Sequence, residues 1–412
     1  MSETFPNIAQ TSELLREGII SPVDLVRQCL SRIEKLNPKL NAFITVNSES
    51  AIAEAEKIET EIANGFWKGP LHGIPIGVKD MFDTAGVKTT AAFSRFQNRI
   101  PQKDAHAVTL LKDAGAILIG KTNLHELAMG TTSAVSHYGS VHNPWNTDYI
   151  AGGSSGGSAA VATNMCYATI DTDAIGSCRL PASCCGVTGF KSGPGTIDMH
   201  GILEGLPVEE SILYLSQISI TAGSARDAEI VFGILSSKKE NGNGETTVKR
   251  ESPKRGSAYK IGMVRNRKAE KNVESAFQEA ANLLRSLGHL VEETEIPFSP
   301  SFDTRNIKKD REKFSEIVFK NYDLLILPTV TAGVPTIKEA VKNGPMALSP
   351  ENTFFCNYYG LPAISLPCGR DRNGLPIGFQ VIGPNDDGKN IFHLSNLFQS
   401  STDWHTKRPK PN

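Results

Sequence analysis

The chain has 412 residues, which at about 150 residues per domain predicts one large domain or two medium ones. Its 43 Lys and Arg residues nearly balance 44 Asp and Glu residues, and the formal net charge of −1 excludes nucleic-acid binding driven by overall charge. With 39% hydrophobic and 21% charged residues, the composition supports a sizeable core and excludes a disordered chain.

The cysteines and the absence of targeting patterns bear on location. Seven cysteines, two of them adjacent at Cys184 and Cys185, are typical of reduced thiols and not of a disulfide framework. The sequence has neither a basic-then-apolar leader nor an apolar stretch of the roughly 20 residues that span a bilayer. We therefore expect a cytoplasmic protein that does not insert into a membrane.

Two helices are predicted near the amino terminus. Ser21 is a good N-cap and Pro22 suits the first helical position, after which apolar residues recur at helical spacing up to Asn37. Residues 48–63 are rich in Ala and Glu and are followed by an Asn-Gly pair that favours a helix end.

After residue 70, short apolar runs alternate with helical stretches. The runs at residues 73–78, 116–119 and 324–327 are bounded by Gly or Pro, which is typical of strands buried on both faces. Helices are predicted over residues 105–114 and 273–287. This alternation predicts the α/β class with a largely parallel or mixed sheet.

Residues 236–257 break the pattern because they are almost entirely polar, and they are predicted to form a long surface loop. The apolar pattern resumes at residues 259–264. We therefore expect a single domain over residues 1–412 with this loop as an excursion.

Three separate stretches carry chemistry when they are considered together. They are Lys79 on an apolar run, the Gly- and Ser-rich residues 152–158, and residues 172–181 with Ser177. A serine hydroxyl needs a base to become a nucleophile, and a buried lysine can serve because a dry site disfavours its ammonium form. A second serine can relay the proton, and glycine turns let backbone N–H groups approach an oxyanion. These are the parts of a Ser-Lys acyl-transfer site.

Other interpretations of the Gly-rich cluster are a structural turn or a phosphate-binding loop. The cluster lacks the lysine of a Walker A loop, and its glycines do not fit a dinucleotide fingerprint.

With these motifs in this order, the chain resembles the amidase signature family. The matching stretches are GIPIGVKDMFDTAG (73–86), residues 104–133, HNPWN (142–146), AGGSSGGSAA (151–160), TDAIGSCRLPASCCGVTGFK (172–191) and residues 360–384. The resemblance implies a single α/β/α domain around a large central mixed, mostly parallel sheet.

The resemblance also implies a set of site residues and no cofactor or metal. Lys79 matches the catalytic lysine, Ser154 the bridging serine that follows a cis peptide bond, and Ser177 the nucleophile. The implied oxyanion hole consists of the backbone N–H groups of Ala174, Ile175, Gly176 and Ser177. Ser155, Asp173 and Arg179 match supporting residues, and Met129 and Thr131 match a loop near the substrate.

Three other reactive side chains have simpler interpretations. Cys178 is next to Ser177, but adjacent residues point in different directions, so a buried filler is expected. His137 and His142 have no further ligands at sensible spacing, and packing or surface hydrogen bonding is expected rather than a metal site.

The chain departs from the family pattern at four places. Ile175 replaces a glycine, which would strain a backbone with φ > 0, and Asp171 also stands where glycine is usual. Ser154 and Ser177 are 23 positions apart, one fewer than usual. Residues 298–322 are shorter than the region that commonly lines the substrate channel, so we expect a more open pocket or one completed by a homo-oligomer or partner chain.

Three functions remain open at this point. The first is an amidase that hydrolyses the C–N bond of a small linear amide through the Ser-Ser-Lys mechanism. The second is a catalytically impaired scaffold or binding protein that keeps the fold. The third is the glutaminase-type subunit of a tRNA-dependent amidotransferase, which would need partner chains.

Overall fold

Short strands run through the described residues of the computed structural model, which are 7–205, 210–237, 258–299, 301–385 and 388–410. The strands are β1 (Phe43–Val46), β2 (Pro75–Lys79), β3 (Ile117–Thr122), β4 (His142–Asn143), β5 (Asn146–Ile150), β6 (Ala168–Asp173), β7 (Thr188–Lys191), β8 (Gln217–Ala222), β9 (Lys260–Val264), β10 (Leu290–Thr294), β11 (Leu324–Pro328), β12 (Ala363–Arg370) and β13 (Pro376–Ile382).

Helices alternate with these strands along most of the chain. They are α1 (Ile8–Arg16), α2 (Pro22–Leu40), α3 (Ser48–Ala63), α4 (His106–Asp113), α5 (Gly157–Ala162), α6 (Arg179–Cys185), α7 (Glu210–Leu215), α8 (Ala225–Leu235), α9 (Lys271–Ser286), α10 (Ile307–Val318), α11 (Ile337–Asn343), α12 (Phe354–Tyr358) and α13 (Gly388–Ser400). Single 3₁₀ turns lie at Ser94–Phe96, Glu126–Ala128, Thr304–Asn306 and Trp404–Thr406.

Local sequence chemistry explains where helix α2 begins and ends. The Ser21 hydroxyl accepts hydrogen bonds from the backbone N–H groups of Val23 and Asp24, and Pro22 occupies the first helical position, as predicted. The helix continues past Asn37 and ends at Leu40. Asn41 follows as the C-cap in a left-handed conformation (φ 52°), which terminates the helix.

Eleven of the strands form one mixed sheet, in the order β1-β3-β2-β6-β8-β7-β12-β13-β11-β9-β10, and β4 pairs with β5. The predicted α/β class and the large central mixed sheet are confirmed. The expectation that the sheet is mostly parallel is wrong. Only β2–β3, β2–β6, β9–β11 and β9–β10 pair in parallel among its described strands. Short connections such as the turn between β12 and β13 allow antiparallel pairing, whereas a parallel pair needs a crossover.

Helices cover both faces of the sheet, as successive residues of β7 show. The Cβ that an alanine would carry at Gly189 lies 2.7 Å from Cβ of Ala182 on α6. The ring of Phe190 instead packs against Phe232 of α8 and Phe392 of α13, with centroid distances of 4.9 and 4.6 Å. Because neighbouring residues of a strand point to opposite faces, α6 lies on one side and α8 with α13 on the other.

The parallel pairing of β2 with β6 places the ends of these strands at one edge. Lys79 is the last residue of β2 and Asp173 is the last residue of β6. The carboxyl ends of parallel strands form a crevice where α/β proteins bind ligands. The short connection from β6 to α6 therefore lies beside the end of β2.

The structure describes the predicted polar loop only in part and the predicted short region almost completely. Most of the polar loop, residues 238–257, lies outside the described residues. In the short region at 298–322, α10 follows a 3₁₀ turn and leads into β11. None of the helices in the described residues is long and apolar enough to cross a membrane.

Candidate active site

The side chain of Lys79 is fully buried at the end of β2. Its Nζ donates to three hydroxyl oxygens: Ser154 Oγ at 2.8 Å, Ser155 Oγ at 2.9 Å and Thr172 Oγ1 at 3.0 Å. Burial lowers the pKa of Lys79 to about 8, because it disfavours the charged amine, while the carboxylate of Asp171 acts in the opposite direction. A lysine with this pKa can lose its proton near neutral pH.

Ser154 lies in the Gly-rich turn before α5 and is also fully buried. The peptide bond between Gly153 and Ser154 is cis. The backbone N–H of His125 donates to the carbonyl oxygen of Ser154 at 2.9 Å, and this hydrogen bond helps to hold the turn in place. The hydroxyl of Ser154 thereby faces Lys79.

Ser177 lies in the connection between β6 and α6, with 3% of its surface exposed. Its carbonyl oxygen accepts from the backbone N–H of Ser155 at 3.2 Å, so this connection contacts the Ser154–Ser155 turn directly. With 23 positions between Ser154 and Ser177 instead of 24, the connection therefore still reaches the turn. Within the described residues, no hydrogen bond joins Ser177 Oγ to Ser154 Oγ. Catalytic hydrogen bonds are often long in ligand-free sites and tighten with substrate.

A buried ion pair holds this connection in place. Arg179 donates from Nε to Asp173 Oδ2 and from Nη2 to Asp173 Oδ1, both at 3.0 Å, and both side chains are fully buried. Burial alone would raise the pKa of Asp173, but the Arg179 guanidinium holds it well below its usual range. Nη1 of Arg179 donates to Gln380 Oε1 at 2.7 Å, and Nη2 also contacts Asn357 Oδ1 at 2.7 Å and the Thr353 carbonyl at 3.0 Å.

One of the four backbone N–H groups of the predicted oxyanion hole donates to a side chain of the protein. The backbone N–H of Gly176 donates to Asp173 Oδ1 at 2.8 Å, so it is engaged within the protein. The N–H groups of Ala174, Ile175 and Ser177 have no acceptor among the residues that the structure describes. A short acidic side chain accepts easily from a nearby backbone N–H in this way, and the sequence pattern does not distinguish the engaged amide from the others.

The expected strain at Ile175 is absent. The residue with positive φ is Gly176, at +131°, whereas Ile175 lies outside the left-handed region. A Cβ at Gly176 would lie only 2.3 Å from Thr353 Oγ1. The same Thr353 hydroxyl donates to the carbonyl oxygen of Ile175 at 2.6 Å. Glycine is thus required at residue 176, and isoleucine is accommodated at residue 175.

The thiol of Cys178 points away from this connection and into the sheet. Its Sγ lies 3.4 Å from the carbonyl oxygen of Ile220 and 3.5 Å from Thr221 Oγ1. Burial raises the pKa of Cys178, which keeps the thiol protonated. This arrangement agrees with the expectation of a buried filler.

The predicted substrate loop lies beside the cis turn. A Cβ at Gly153 would be 2.7 Å from the backbone nitrogen of Thr132, which shows how closely residues 131–133 approach. Thr131 is buried, and its hydroxyl donates to the Pro345 carbonyl at 3.1 Å, whereas Met129 is 60% exposed. Of the two predicted contact residues, Met129 therefore has the side chain available at the surface.

Helix α10, in the short region at 298–322, contacts the elements that hold the site. Arg311 on α10 donates through Nε to the carbonyl of Tyr358 at 2.8 Å, and the Tyr358 hydroxyl donates to Asp310 at 2.6 Å. Tyr358 belongs to α12, which also carries Asn357. Because Asn357 Nδ2 donates to the Asp173 carbonyl at 2.8 Å, α10 and α12 brace the end of β6.

Several residues around the site were not identified from sequence. Thr172 lies within a quoted motif and could have been included as a hydroxyl next to Asp173. Gln380 also lies within a quoted stretch, residues 360–384, whereas Thr353 and Asn357 lie outside the quoted stretches and no local pattern indicates them.

The histidines considered for metal binding are held by ordinary contacts. His142 Nδ1 lies 2.7 Å from the carbonyl of Thr147, and the ring of His137 packs against Tyr138. In the part of the chain that the structure describes, no group of three or more His, Cys, Asp or Glu side chains is arranged to hold a metal ion.

Comparison with known proteins identifies a family. A family model described as Amidase matches residues 24–308 and 302–391. A glutamyl-tRNA(Gln) amidotransferase subunit from Prochlorococcus marinus is 32% identical, over 99% of this chain and 99% of the relative. That alignment extends over 492 positions, 80 more than the 412 residues of this chain, so the relative is the longer protein.

Solved structures share the fold. The corresponding glutamyl-tRNA(Gln) amidotransferase subunit from Thermotoga maritima is 28% identical with a TM-score of 0.77, over 95% of this chain and 94% of that one. A 6-aminohexanoate cyclic dimer hydrolase is 24% identical with a TM-score of 0.85, over 100% and 99% of the two chains. The second likeness concerns the fold alone.

The buried pair of Arg179 and Asp173 gives a stability prediction. We expect Arg179→Ala to lower the free energy of unfolding by about 3–5 kcal/mol, because it leaves an uncompensated buried carboxylate. Urea unfolding of both proteins measures the difference. The control is Arg226→Ala, which removes an exposed pair with Glu229 and should change stability by at most about 1 kcal/mol. Equal stability of the two variants would contradict this account of the site.

Proposed function

Because the chain belongs to the amidase (amidase signature) family, we propose that it hydrolyses the C–N bond of a linear amide through an acyl-enzyme on Ser177. The observation that carries the proposal is the hydrogen bond of 2.8 Å from the buried Lys79 amine to Ser154 Oγ, next to the connection that holds Ser177. A buried lysine joined to a serine, with a second serine alongside, is suited to acyl transfer.

In the proposed first step, neutral Lys79 acts as the base. Its lone pair accepts the proton of Ser154, and Ser154 Oγ accepts the proton of Ser177 as Ser177 Oγ bonds to the amide carbonyl carbon. Lys79 then carries the proton as an ammonium. Return of the proton through Ser154 to the amine lets the C–N bond break, and water releases the acyl group by the same relay.

The developing oxyanion needs donors aimed at it. The N–H groups of Ala174, Ile175 and Ser177 are available in the connection after β6, while Gly176 is occupied by Asp173. Preorganised backbone donors of this kind stabilise charge without reorganisation during the reaction. We therefore assign oxyanion stabilisation to these three residues.

Two of the three observations that favoured a catalytically impaired scaffold no longer support it. Ile175 does not have a positive φ, and the shortened spacing still brings the connection with Ser177 against Ser155. The third reason was the additional carboxylate of Asp171. This carboxylate favours the charged form of Lys79.

A second candidate is the glutaminase-type subunit of an amidotransferase. The identity of 32% over nearly the full length of a glutamyl-tRNA(Gln) amidotransferase subunit favours it. That function would require partner chains. Hydrolysis of glutamine that depends on added partner chains would favour this candidate over an independent amidase acting on other linear amides.

We also propose a cytoplasmic location. All seven cysteines are free and buried in the structure, and two adjacent ones on α6 remain unpaired. Unpaired thiols suit a reducing compartment.

The nucleophile is tested by Ser177→Ala. Across a panel of linear amides that includes glutamine, we expect kcat/KM to fall by at least about 10³-fold, because no acyl-enzyme can form. Circular dichroism checks the fold. The control is Ser183→Ala, whose buried hydroxyl on α6 has no hydrogen-bond partner within the described structure and should be dispensable. Undiminished activity of Ser177→Ala would contradict the mechanism.

The base is tested by a pH profile. The relay requires neutral Lys79, so activity is low when the amine is protonated and rises as it loses its proton. We therefore expect kcat/KM to increase with pH and to level off above a midpoint of about pH 8. A rate that is maximal at acid pH would exclude Lys79 as the base.

A further inference from the structure

Asp171 is a buried carboxylate next to the proposed base, at a position where the resemblance leads one to expect glycine. It lies on β6, two residues before Asp173, and is fully buried. Its Oδ2 accepts from the hydroxyls of Thr169 at 2.7 Å and Thr221 at 2.8 Å. Its Oδ1 has no hydrogen-bond partner within the described residues at ordinary distance. Such a charge is costly to bury, which calls for a compensating positive charge.

Strand register places Asp171 beside Lys79. In the parallel pair of β2 and β6, Val78 lies opposite Ile170, and the next residue on each strand is Lys79 and Asp171. Neighbouring strands are about 4.8 Å apart, and residues at the same level point to the same face. The two side chains therefore extend from adjacent positions into the same layer.

Ser155 lies between the two groups. Its hydroxyl accepts from Lys79 Nζ at 2.9 Å, so its own hydrogen is free to be donated elsewhere. The Ser155 hydroxyl and the Lys79 charge both favour the ionised form of Asp171, and they oppose the burial that raises its pKa. Ser155 is thus placed to connect Lys79 with Asp171.

We propose that Asp171 is a positioning residue, which orients Lys79 through Ser155 and stabilises the ammonium that forms when Lys79 receives the proton of Ser154. The inference rests on the proposed function. Asp171 itself neither donates nor accepts a proton. The proton of Ser177 Oγ moves to Ser154 Oγ, and the proton of Ser154 moves to Lys79 Nζ. Asp171 stays a carboxylate throughout, and the ammonium of Lys79 later returns the proton through Ser154 to the leaving amine.

The other charged or titratable groups that face Lys79 are already neutralised. Asp173 is paired with Arg179 through two contacts of 3.0 Å, and the Cys178 thiol stays protonated. Burial and the Lys79 charge lower the pKa of His125 to about 4, so its ring is neutral near pH 7. In the described structure, Asp171 is the carboxylate beside Lys79 that has no cation within 4 Å.

The test is the pH dependence of Asp171→Asn, which keeps the shape and removes the charge. Without the carboxylate the Lys79 ammonium is less stable, so the midpoint of the rise in kcat/KM should move to lower pH by about 1 unit or more. A loss of packing alone would lower the rate without moving the midpoint. The control is Asp227→Asn, a buried carboxylate on α8 that should leave the midpoint unchanged.

The outcomes separate this inference from the proposed function. If the wild-type rate depends on Ser177 but the midpoint of Asp171→Asn equals that of the wild type, the role of Asp171 is overturned. If activity does not depend on Ser177, the proposed function itself fails. Should Asp171→Asn not fold, the same measurement on Asp171→Gly decides, and the same shift is expected.

Discussion

Burial of the Lys79 amine is the constraint around which the site is arranged. An ammonium without water is stable only if each of its donors finds an acceptor, and three hydroxyls lie within 3.0 Å of Nζ. They come from the Gly-rich turn, at Ser154 and Ser155, and from the end of strand β6, at Thr172. The hydrogen bonds of this one buried amine thus connect the Gly-rich turn and the end of β6 to the end of β2.

A buried ion pair holds the connection that contains Ser177, the proposed nucleophile. Arg179 directs its donors to Asp173, Gln380, Asn357 and the Thr353 carbonyl, which links β6 to α12 and β13. Gly176 can then take its unusual backbone conformation against Thr353, with its amide fixed by Asp173. Within the described residues, the N–H groups on either side of Gly176 have no acceptor, which suits the oxyanion role that we propose for them. The ion pair of Arg179 and Asp173 therefore fixes the backbone on both sides of Gly176.

Local patterns predicted much of the fold. The N-cap at Ser21, the helix at 48–63 and the buried runs that became β2, β3 and β11 follow from capping, periodicity and apolar composition. The three central site residues came from motifs whose order resembles one family. Strand direction could not be obtained in this way, because pairing joins residues that are far apart in sequence. The same holds for Asn357, which is 184 positions from Asp173 and was not anticipated.

The most direct measurement of the central claim is covalent labelling with a serine-directed fluorophosphonate, followed by peptide mapping. A base-activated serine reacts with this reagent, whereas ordinary serines do not. The account predicts a single phosphonylated site at Ser177, with labelling lost in Lys79→Ala. Absence of labelling, or a label on another residue, would contradict the proposal that Ser177 is an activated nucleophile.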